Sequence, residues 1–145
     1  MANTKKLFVD GPILPDFIAK SIASHATKTN IGAHQIFLGQ IRADIIEDKQ
    51  VSAIDFSAYV EMAEEKYYEI REELFAKYNL SCMHVYHSLG EIKIGEINLF
   101  VFMSSAHRKD AITACAEMVE KIKTEIPIWG KLIFENETNS WKINQ

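Results

Sequence analysis

Residues 97–103, INLFVFM, form the longest apolar segment of the chain. The segment is far shorter than the ~20 apolar residues of a membrane-spanning helix, and it predicts one buried strand. The preceding segment, residues 81–89 (SCMHVYHSL), is also typical of a strand, and Gly90 and Gly95 separate the two. The simplest arrangement is an antiparallel pair joined by a turn.

The hydrophobic period changes several times along the rest of the chain. Apolar residues at helical spacing predict three helices, at about residues 15–28, 61–78 and 106–125. Alternating segments predict further strands, at about residues 5–10, 33–41, 51–59, 128–134 and 140–144, with a polar loop at 42–50. Strands outnumber helices and pair as hairpins, so the predicted class is α+β with a mostly antiparallel sheet.

Two of the predicted helices have a clear inward stripe. The stripe of the second helix consists of Ala63, Tyr67, Ile70, Leu74 and Tyr78. The stripe of the third consists of Ala111, Cys115, Val119 and Ile122. Pro127 ends the third helix, and one of the serines Ser104 and Ser105 is predicted to cap its start.

Composition limits the possible functions. A chain of 145 residues is the size of one domain, so residues 1–145 are expected to form a single domain. The net charge of −4 argues against general nucleic-acid binding, which depends on a cationic face. Two cysteines make no disulfide framework, and no signal sequence or membrane span is evident. The expected location is the cytoplasm, with no membrane association.

The segment Ser104–Asp110, SSAHRKD, contains the most unusual charges. Cations in the first turn of a helix oppose its dipole, yet His107 and Arg108 lie there. Together with free backbone N–H groups they would form an anion pocket of the kind that binds phosphate. The alternative is a solvated arginine paired with a nearby glutamate.

Lys123 and Arg42 are weaker candidates when taken alone. Lys123 borders the buried stripe of the third helix, so it is either a lysine with a buried stem or an acid–base group in a partly dry cleft. Arg42 follows a strand, where an arginine is ordinary. His84 and His87 point to opposite faces of a strand. Cys82 shares a face with His84, but two ligands fall short of a zinc set, so no metal is expected.

The order of several motifs is more specific than any one of them. The segments GAHQIFLGQIR, YVEMA, HSLGEIKIGE, SSAHRKDA and KTEIPIWGK follow one another between Gly32 and Lys131. This series resembles the large, catalytic subunit of molybdopterin synthase. The resemblance implies an α/β hammerhead fold and a sulfurtransferase of molybdenum cofactor biosynthesis that needs no cofactor of its own.

The resemblance also implies partners and residue roles. A homodimer would bind two small ubiquitin-like carriers, as a heterotetramer, and each carrier would bring sulfur as a C-terminal Gly-Gly thiocarboxylate. The substrate would be cyclic pyranopterin monophosphate, which becomes the dithiolene of molybdopterin. Lys123 matches the family's essential helix lysine, whereas Arg42, His107 and Arg108 match the residues that bind the pterin phosphate.

The chain departs from the family pattern in its last motif. Gly130 stands where a second active-site lysine is expected, and Leu132 stands where a glutamate is expected. Adjacent strand residues face opposite ways, so Lys131 replaces the missing lysine only if a bulge at Gly130 re-aims it. We hypothesise that a bulge forms at Gly130 and makes Lys131 a second catalytic lysine.

Two rival interpretations remain open. The chain could be a non-catalytic subunit that binds the carrier and has lost one active-site lysine. It could also be a small α+β module that senses another ligand and dimerises through its sheet.

Overall fold

The computed structural model of the protein describes residues 5–135 and contains three helices and seven strands in that range. The helices are α1 (Pro15–Ser24), α2 (Val60–Lys77) and α3 (Arg108–Glu125). The strands are β1 (Phe8–Asp10), β2 (Ala33–Gln40), β3 (Ile45–Ile46), β4 (Lys49–Ala58), β5 (Cys82–Lys93), β6 (Ile97–Ser105) and β7 (Ile128–Phe134). The strand predicted at residues 140–144 lies outside the described residues.

The strands form one sheet in the order β2-β6-β5-β4-β3, with β1 beside β5 and β7 beside β4. The pairing of β1 with β5 is parallel and the other named pairs are antiparallel, which confirms the predicted α+β class. The first half of β5 pairs with β6 and its last four residues pair with β4. Gly90, with φ of +94°, lies where the pairing changes. The turn to β6 therefore contains Gly95 alone, and not both glycines as predicted.

Strand β6 is buried on both faces, as the apolar run predicted. Leu99, Val101 and Met103 belong to the core that includes α2 and α3. Phe100 and Phe102 point the other way and pack with Ile13 and Ile18, the latter from α1. The sheet thus separates two cores, one under α2 and α3 and a smaller one under α1.

The predicted helix stripes are confirmed with small changes. In α2 the buried residues are Ala63, Tyr67, Ile70 and Leu74. Tyr78 follows the helix and donates its hydroxyl hydrogen to Glu117 Oε1 at 2.7 Å. In α3 the buried residues are Ala111, Ala114, Cys115, Met118 and Ile122, and Val119 is half-buried.

The ends of two helices differ from the prediction because side chains take backbone hydrogen bonds. Helix α1 ends at Ser24 and not near residue 28, since Ser24 Oγ and His25 Nδ1 both bond the Ser21 carbonyl oxygen. Helix α3 begins at Arg108, and its N-cap position is His107 and not one of the two serines. Ser105 Oγ accepts the Ala111 N–H at 3.1 Å instead.

The loop predicted at residues 42–50 contains a two-residue strand, β3, that pairs with β4. Its turn consists of Glu47 and Asp48, both with positive φ (51° and 64°). The sequence concealed this hairpin because such turns usually contain glycine or asparagine.

Both cysteines, Cys82 and Cys115, are free thiols. Among the helices between residues 5 and 135, none combines the length and the apolar character that crossing a bilayer demands.

A close contact fixes the start of β2 against the end of β6. Gly32 N–H donates to the Ser105 carbonyl oxygen at 3.0 Å, and a Cβ added at Gly32 would lie 2.2 Å from the Ala106 carbonyl oxygen. At Gly39, in the same strand, an added Cβ would meet only side-chain atoms, the nearest at 3.1 Å. Gly32 is therefore a steric requirement of this connection.

We predict that Gly32→Ala lowers the free energy of unfolding by about 1–3 kcal/mol, because a backbone oxygen cannot move aside as a side chain can. The matched control is Gly39→Ala, which should cost less than half as much. Urea unfolding of both variants at neutral pH measures the difference, and equal losses would contradict the steric explanation.

Candidate active site

A cleft of about 670 Å³ opens at the N-terminal end of α3, and we call it the α3 cleft. Strand β6 leads directly into this end of the helix, and the Gly32 contact holds the start of β2 beside it. The residues that line the cleft are Gly32, Ala33, Ala106, His107, Arg108, Lys109, Ile112 and Thr113.

Three consecutive cationic or ionisable residues surround the α3 cleft. His107 is the N-cap of α3, and Arg108 and Lys109 occupy its first turn, where the helix dipole disfavours positive charge. All three side chains are exposed. Free backbone N–H groups and these side chains together favour an anion such as phosphate. Sequence analysis singled out His107 and Arg108 but overlooked Lys109, the next residue of the same charged run.

Lys123 lies at the opposite end of α3, in its last turn, and is exposed. Fifteen residues of helix separate it from Arg108, which corresponds to about 22 Å. Lys123 lies near His87, whose side chain is 4% exposed. Burial, together with the nearby Lys123 charge, lowers the pKa of His87 to about 4. His87 is therefore a neutral imidazole beside the lysine, and its proximity could not be read from the sequence.

Arg42 also lies away from the α3 cleft. Strand β2 pairs Ala33 with Ser105 at the cleft end and Gln40 with Ile97 at the other end, about 24 Å further along the strand. Arg42 follows that far end and forms an ion pair with Asp44 at 3.2 Å. Arg42 therefore does not meet His107 and Arg108 within one chain, and the prediction that the three line one pocket requires a second copy.

The predicted site residues thus form two groups. His107 and Arg108 lie at one end of the sheet, whereas Lys123 and Arg42 lie at the other. A row of paired residues across three strands connects the second group. Gly39 of β2 pairs with Leu99 of β6, and Leu99 pairs with His87 of β5. We call this second group the Lys123 end.

The bulge proposed at Gly130 is absent. Strand β7 pairs with β4 in continuous register from Ile128 through Ile133, so that Gly130 lies opposite Phe56 and Lys131 opposite Asp55. Lys131 therefore points to the face opposite Gly130, and the bulge hypothesis is wrong. The bulge that would have brought Lys131 to the face of Gly130, and so supported a catalytic role for it, is not formed.

The space that a residue at Gly130 would need is occupied. A Cβ added there would lie 2.6 Å from Ile54 Cγ2 and 3.2 Å from Phe56 Cε1. The Phe56 ring in turn contacts His87, with 5.1 Å between ring centroids. At position 130, where the family pattern has a lysine, apolar side chains of neighbouring residues therefore fill the space beside the glycine. Ser88, which replaces an arginine of the family pattern, is fully buried and lines no part of the α3 cleft.

Between residues 5 and 135, one group of three side chains is close enough to hold a metal ion. It consists of His25, Cys82 and His84, with ligand atoms all within 4.8 Å of one another. The sequence suggested the last two and missed His25, because that residue comes from the end of a distant helix. The group lies on the α1 side of the sheet, away from α3.

Comparison with known proteins identifies the family of the chain. The profile of a family described as MoaE protein matches residues 14–125. A molybdopterin synthase catalytic subunit from Rattus norvegicus is 33% identical over 114 residues, which cover 79% of this chain and 56% of the rat protein. The Thermoplasma volcanium subunit of the same name is 33% identical over 120 residues, covering 83% of this chain and 87% of that protein. The chain therefore spans little more than half of the rat relative.

Solved structures share the fold. A crystal structure of molybdopterin synthase from Staphylococcus aureus aligns with a TM-score of 0.79 and 28% identity, covering 92% of this chain and 94% of that one. A complex of subunits 1 and 2 of molybdopterin-converting factor from Helicobacter pylori aligns with a TM-score of 0.76 and 22% identity, covering 90% and 85%. The second similarity establishes the fold alone.

The buried, neutral His87 predicts a pH-dependent stability. Its pKa is lower in the folded chain than in the unfolded chain, so the unfolded chain binds more protons as the pH falls from about 6.5 towards 4. Protonation of His87 in the unfolded chain should therefore lower the free energy of unfolding by about 2 kcal/mol between pH 7.5 and pH 5. His87→Phe, which keeps a ring, should lose that much less than the wild type over the same interval. The free energy of unfolding is measured with urea at both pH values. If the wild type and His87→Phe lose the same amount between pH 7.5 and pH 5, the assignment is refuted.

The occupied space at Gly130 predicts that restoring a lysine there is unfavourable. Gly130→Lys should lower the free energy of unfolding by about 1–3 kcal/mol through overpacking against Ile54. In the Ile54→Ala variant, Gly130→Lys should lower the free energy of unfolding by at most half as much as it does in the wild type. A double-mutant cycle by urea unfolding measures the coupling, and additive effects would show that Ile54 does not obstruct the position.

Proposed function

The chain belongs to the MoaE protein family, and we propose that it is the catalytic subunit of a molybdopterin synthase. It would transfer sulfur from the thiocarboxylate of a small ubiquitin-like carrier to cyclic pyranopterin monophosphate and form the dithiolene of molybdopterin. The proposal includes a cytoplasmic location, which agrees with the free thiols of Cys82 and Cys115.

The observation that carries the proposal is the charged run His107-Arg108-Lys109 at the α3 cleft. A net charge of −4 leaves the protein without a general anion-binding surface, so cations concentrated against a helix dipole need a local reason. A phosphate group supplies one, because it accepts hydrogen bonds from the side chains and from free backbone N–H groups together. In this role the cleft orients the pterin for reaction.

Lys123 supplies the second part of the chemistry. In the proposed reaction the thiocarboxylate sulfur attacks a carbon of the pterin side chain and forms a C–S bond, while the bond from that carbon to its oxygen substituent breaks and the departing oxygen takes a proton; a second carrier repeats the step at the neighbouring carbon. Water then hydrolyses the thioester between sulfur and the carrier, which leaves as a carboxylate. The Lys123 ammonium stabilises the negative charge that develops and transfers protons. Neutral His87 adds no competing positive charge beside it.

The separation of about 22 Å along α3 requires two copies of the chain for one site. A single substrate cannot contact Lys123 and Arg108 of the same copy. We therefore propose a homodimer in which the α3 cleft of one copy faces the Lys123 end of the other. Arg42 would then join the phosphate pocket from the second copy, after exchanging Asp44 for the substrate anion.

The carrier needs a docking surface near Lys123. Tyr59, Val60, Met62 and Trp129 are large apolar side chains with exposed fractions of 65%, 43%, 62% and 48%, and the rings of Tyr59 and Trp129 are in edge contact. Trp129 lies in β7, which begins three residues after α3 ends. Such a patch is typical of a protein interface, and we assign it to the carrier.

The two-copy site predicts complementation between inactive variants. Lys123→Ala and Arg108→Ala should each lower the rate of dithiolene formation at least 100-fold. When the two are unfolded together and refolded as a mixture, half of the dimers are mixed and each has one intact site. The mixture should therefore regain about a quarter of wild-type activity. Product is measured by mass spectrometry with thiocarboxylated carrier and the cyclic pterin.

The control is a mixture of Arg108→Ala with His107→Ala, which alter the same half of the site and should not complement. Failure of the first mixture, with both variants folded and dimeric, would place Lys123 and Arg108 in separate functions. Lys131→Ala belongs in the same assay. A loss as large as that of Lys123→Ala would restore Lys131 as a catalytic lysine, whereas near-wild-type activity would assign the lysine chemistry to Lys123.

A second candidate function follows from Gly130. Because Ile54 and Phe56 fill the position of the second family lysine, the chain could bind the carrier without turning over the pterin. Carrier binding by wild-type protein, with no product from a carrier that is active with another synthase, would favour this alternative over the catalytic proposal.

A further inference from the structure

Two histidines and a cysteine meet on the α1 side of the sheet. His25 is the C-cap of α1, whereas Cys82 and His84 begin β5 and point to the same face. The Nε2 atoms of His25 and His84 are 3.1 Å apart, and Cys82 Sγ lies within 4.8 Å of a ring nitrogen of each histidine. We call these three residues the His25 cluster.

The spacing of the His25 cluster is close to that of zinc ligands. In a tetrahedral site with Zn–N of about 2.0–2.1 Å and Zn–S of about 2.3 Å, two nitrogens lie about 3.3 Å apart and a nitrogen and the sulfur about 3.6 Å apart. The two nitrogens therefore need to separate by about 0.2 Å, and the rings must tilt so that both lone pairs converge on the ion and not on each other. The sulfur, within 4.8 Å of the ring nitrogens, must approach them by up to about 1.2 Å.

The surroundings orient the ligands. His25 Nδ1 donates to the Ser21 carbonyl oxygen at 2.7 Å, which leaves the Nε2 lone pair of a neutral ring directed at His84. A backbone carbonyl on the far nitrogen is the usual support of a metal-binding histidine. The His25 ring also packs against Phe102, at 4.8 Å between centroids, and its side chain is 6% exposed. This ligand is therefore held in place before any ion arrives.

The site can be entered from solvent. Lys28 Nζ donates a hydrogen bond to Cys82 Sγ at 3.2 Å. Cys82 and His84 are half-buried and not sealed. One face of the cluster thus remains open for a fourth ligand such as water.

We propose that His25, Cys82 and His84 form a binding site for Zn²⁺. Two imidazole nitrogens and one thiolate are a donor set that zinc prefers over magnesium or calcium, which take oxygen ligands. On binding, Cys82 Sγ loses its proton to solvent as the Zn–S bond forms, and His84 carries its remaining proton on Nδ1. The site lies across the sheet from α3 and is independent of the sulfur-transfer proposal.

The test is metal titration of the full, untagged chain after treatment with a chelator. Co²⁺, a spectroscopic substitute for zinc, should bind one ion per chain and produce the visible bands of tetrahedral cobalt and a thiolate-to-cobalt charge-transfer band. Zn²⁺ should displace it with a Kd in the micromolar range or tighter, measured by calorimetry. Absence of the charge-transfer band, or a zinc Kd in the millimolar range, would overturn the proposal.

Variants locate the ion. Cys82→Ser should abolish the charge-transfer band, and Cys82→Ser, His84→Gln and His25→Gln should each weaken Zn²⁺ binding at least tenfold. The matched controls are Cys115→Ala, which keeps Cys82 as the remaining thiol, and His107→Gln, which alters an exposed histidine elsewhere. Both should bind the ions as the wild type does.

Circular dichroism shows whether each variant is folded. If the buried position makes His25→Gln unfold, the half-buried Cys82→Ser and His84→Gln still decide the question. Unchanged zinc affinity in these two folded variants, or loss of affinity in either control, would refute the assignment. Because the readout is binding and not product formation, failure here leaves the sulfur-transfer proposal intact.

Discussion

Burial of β6 on both faces is the constraint on which the rest of the structure depends. Every residue from Asn98 to Ser105 is buried. Apolar side chains that alternate across a strand need a layer on each side, and α2 with α3 supplies one layer while α1 supplies the other. The same strand delivers the chain to the N-terminal end of α3. The position of the α3 cleft is therefore a consequence of packing β6.

The length of α3 then determines how the site can be completed. An amphipathic helix that covers β6 and β2 must run back along them, so its two ends lie at opposite edges of the sheet. His107 and Lys123 are separated for this reason, although the sequence places them only four helical turns apart. A small domain of this architecture cannot close a cleft around groups at both ends of α3, and the proposed second copy and carrier tail would supply what it lacks.

The sequence predicted what depends on local periodicity and missed what depends on side-chain contacts between distant segments. The inward stripe of α2 from Ala63 to Leu74 and the burial of β6 were correct because patterning alone decides them. The hairpin at Glu47 and Asp48 was missed because its turn lacks glycine. His25 was missed as a neighbour of His84 because only the packing of α1 on the sheet brings them together. The family resemblance named the site residues but did not reveal that they occupy two ends of the chain's sheet.

The Lys123 end shows how one substitution changes the charge balance of a site. A family lysine at Gly130 would place a second cation on the face where Phe56 contacts His87. Here Ile54 and Phe56 occupy that space, and the burial they share with His87 keeps its imidazole neutral. Arg42, the other cation at this end, is engaged with Asp44. Under the proposed function, the thiocarboxylate would therefore meet Lys123 beside a neutral imidazole and apolar side chains, and not beside a second lysine at position 130.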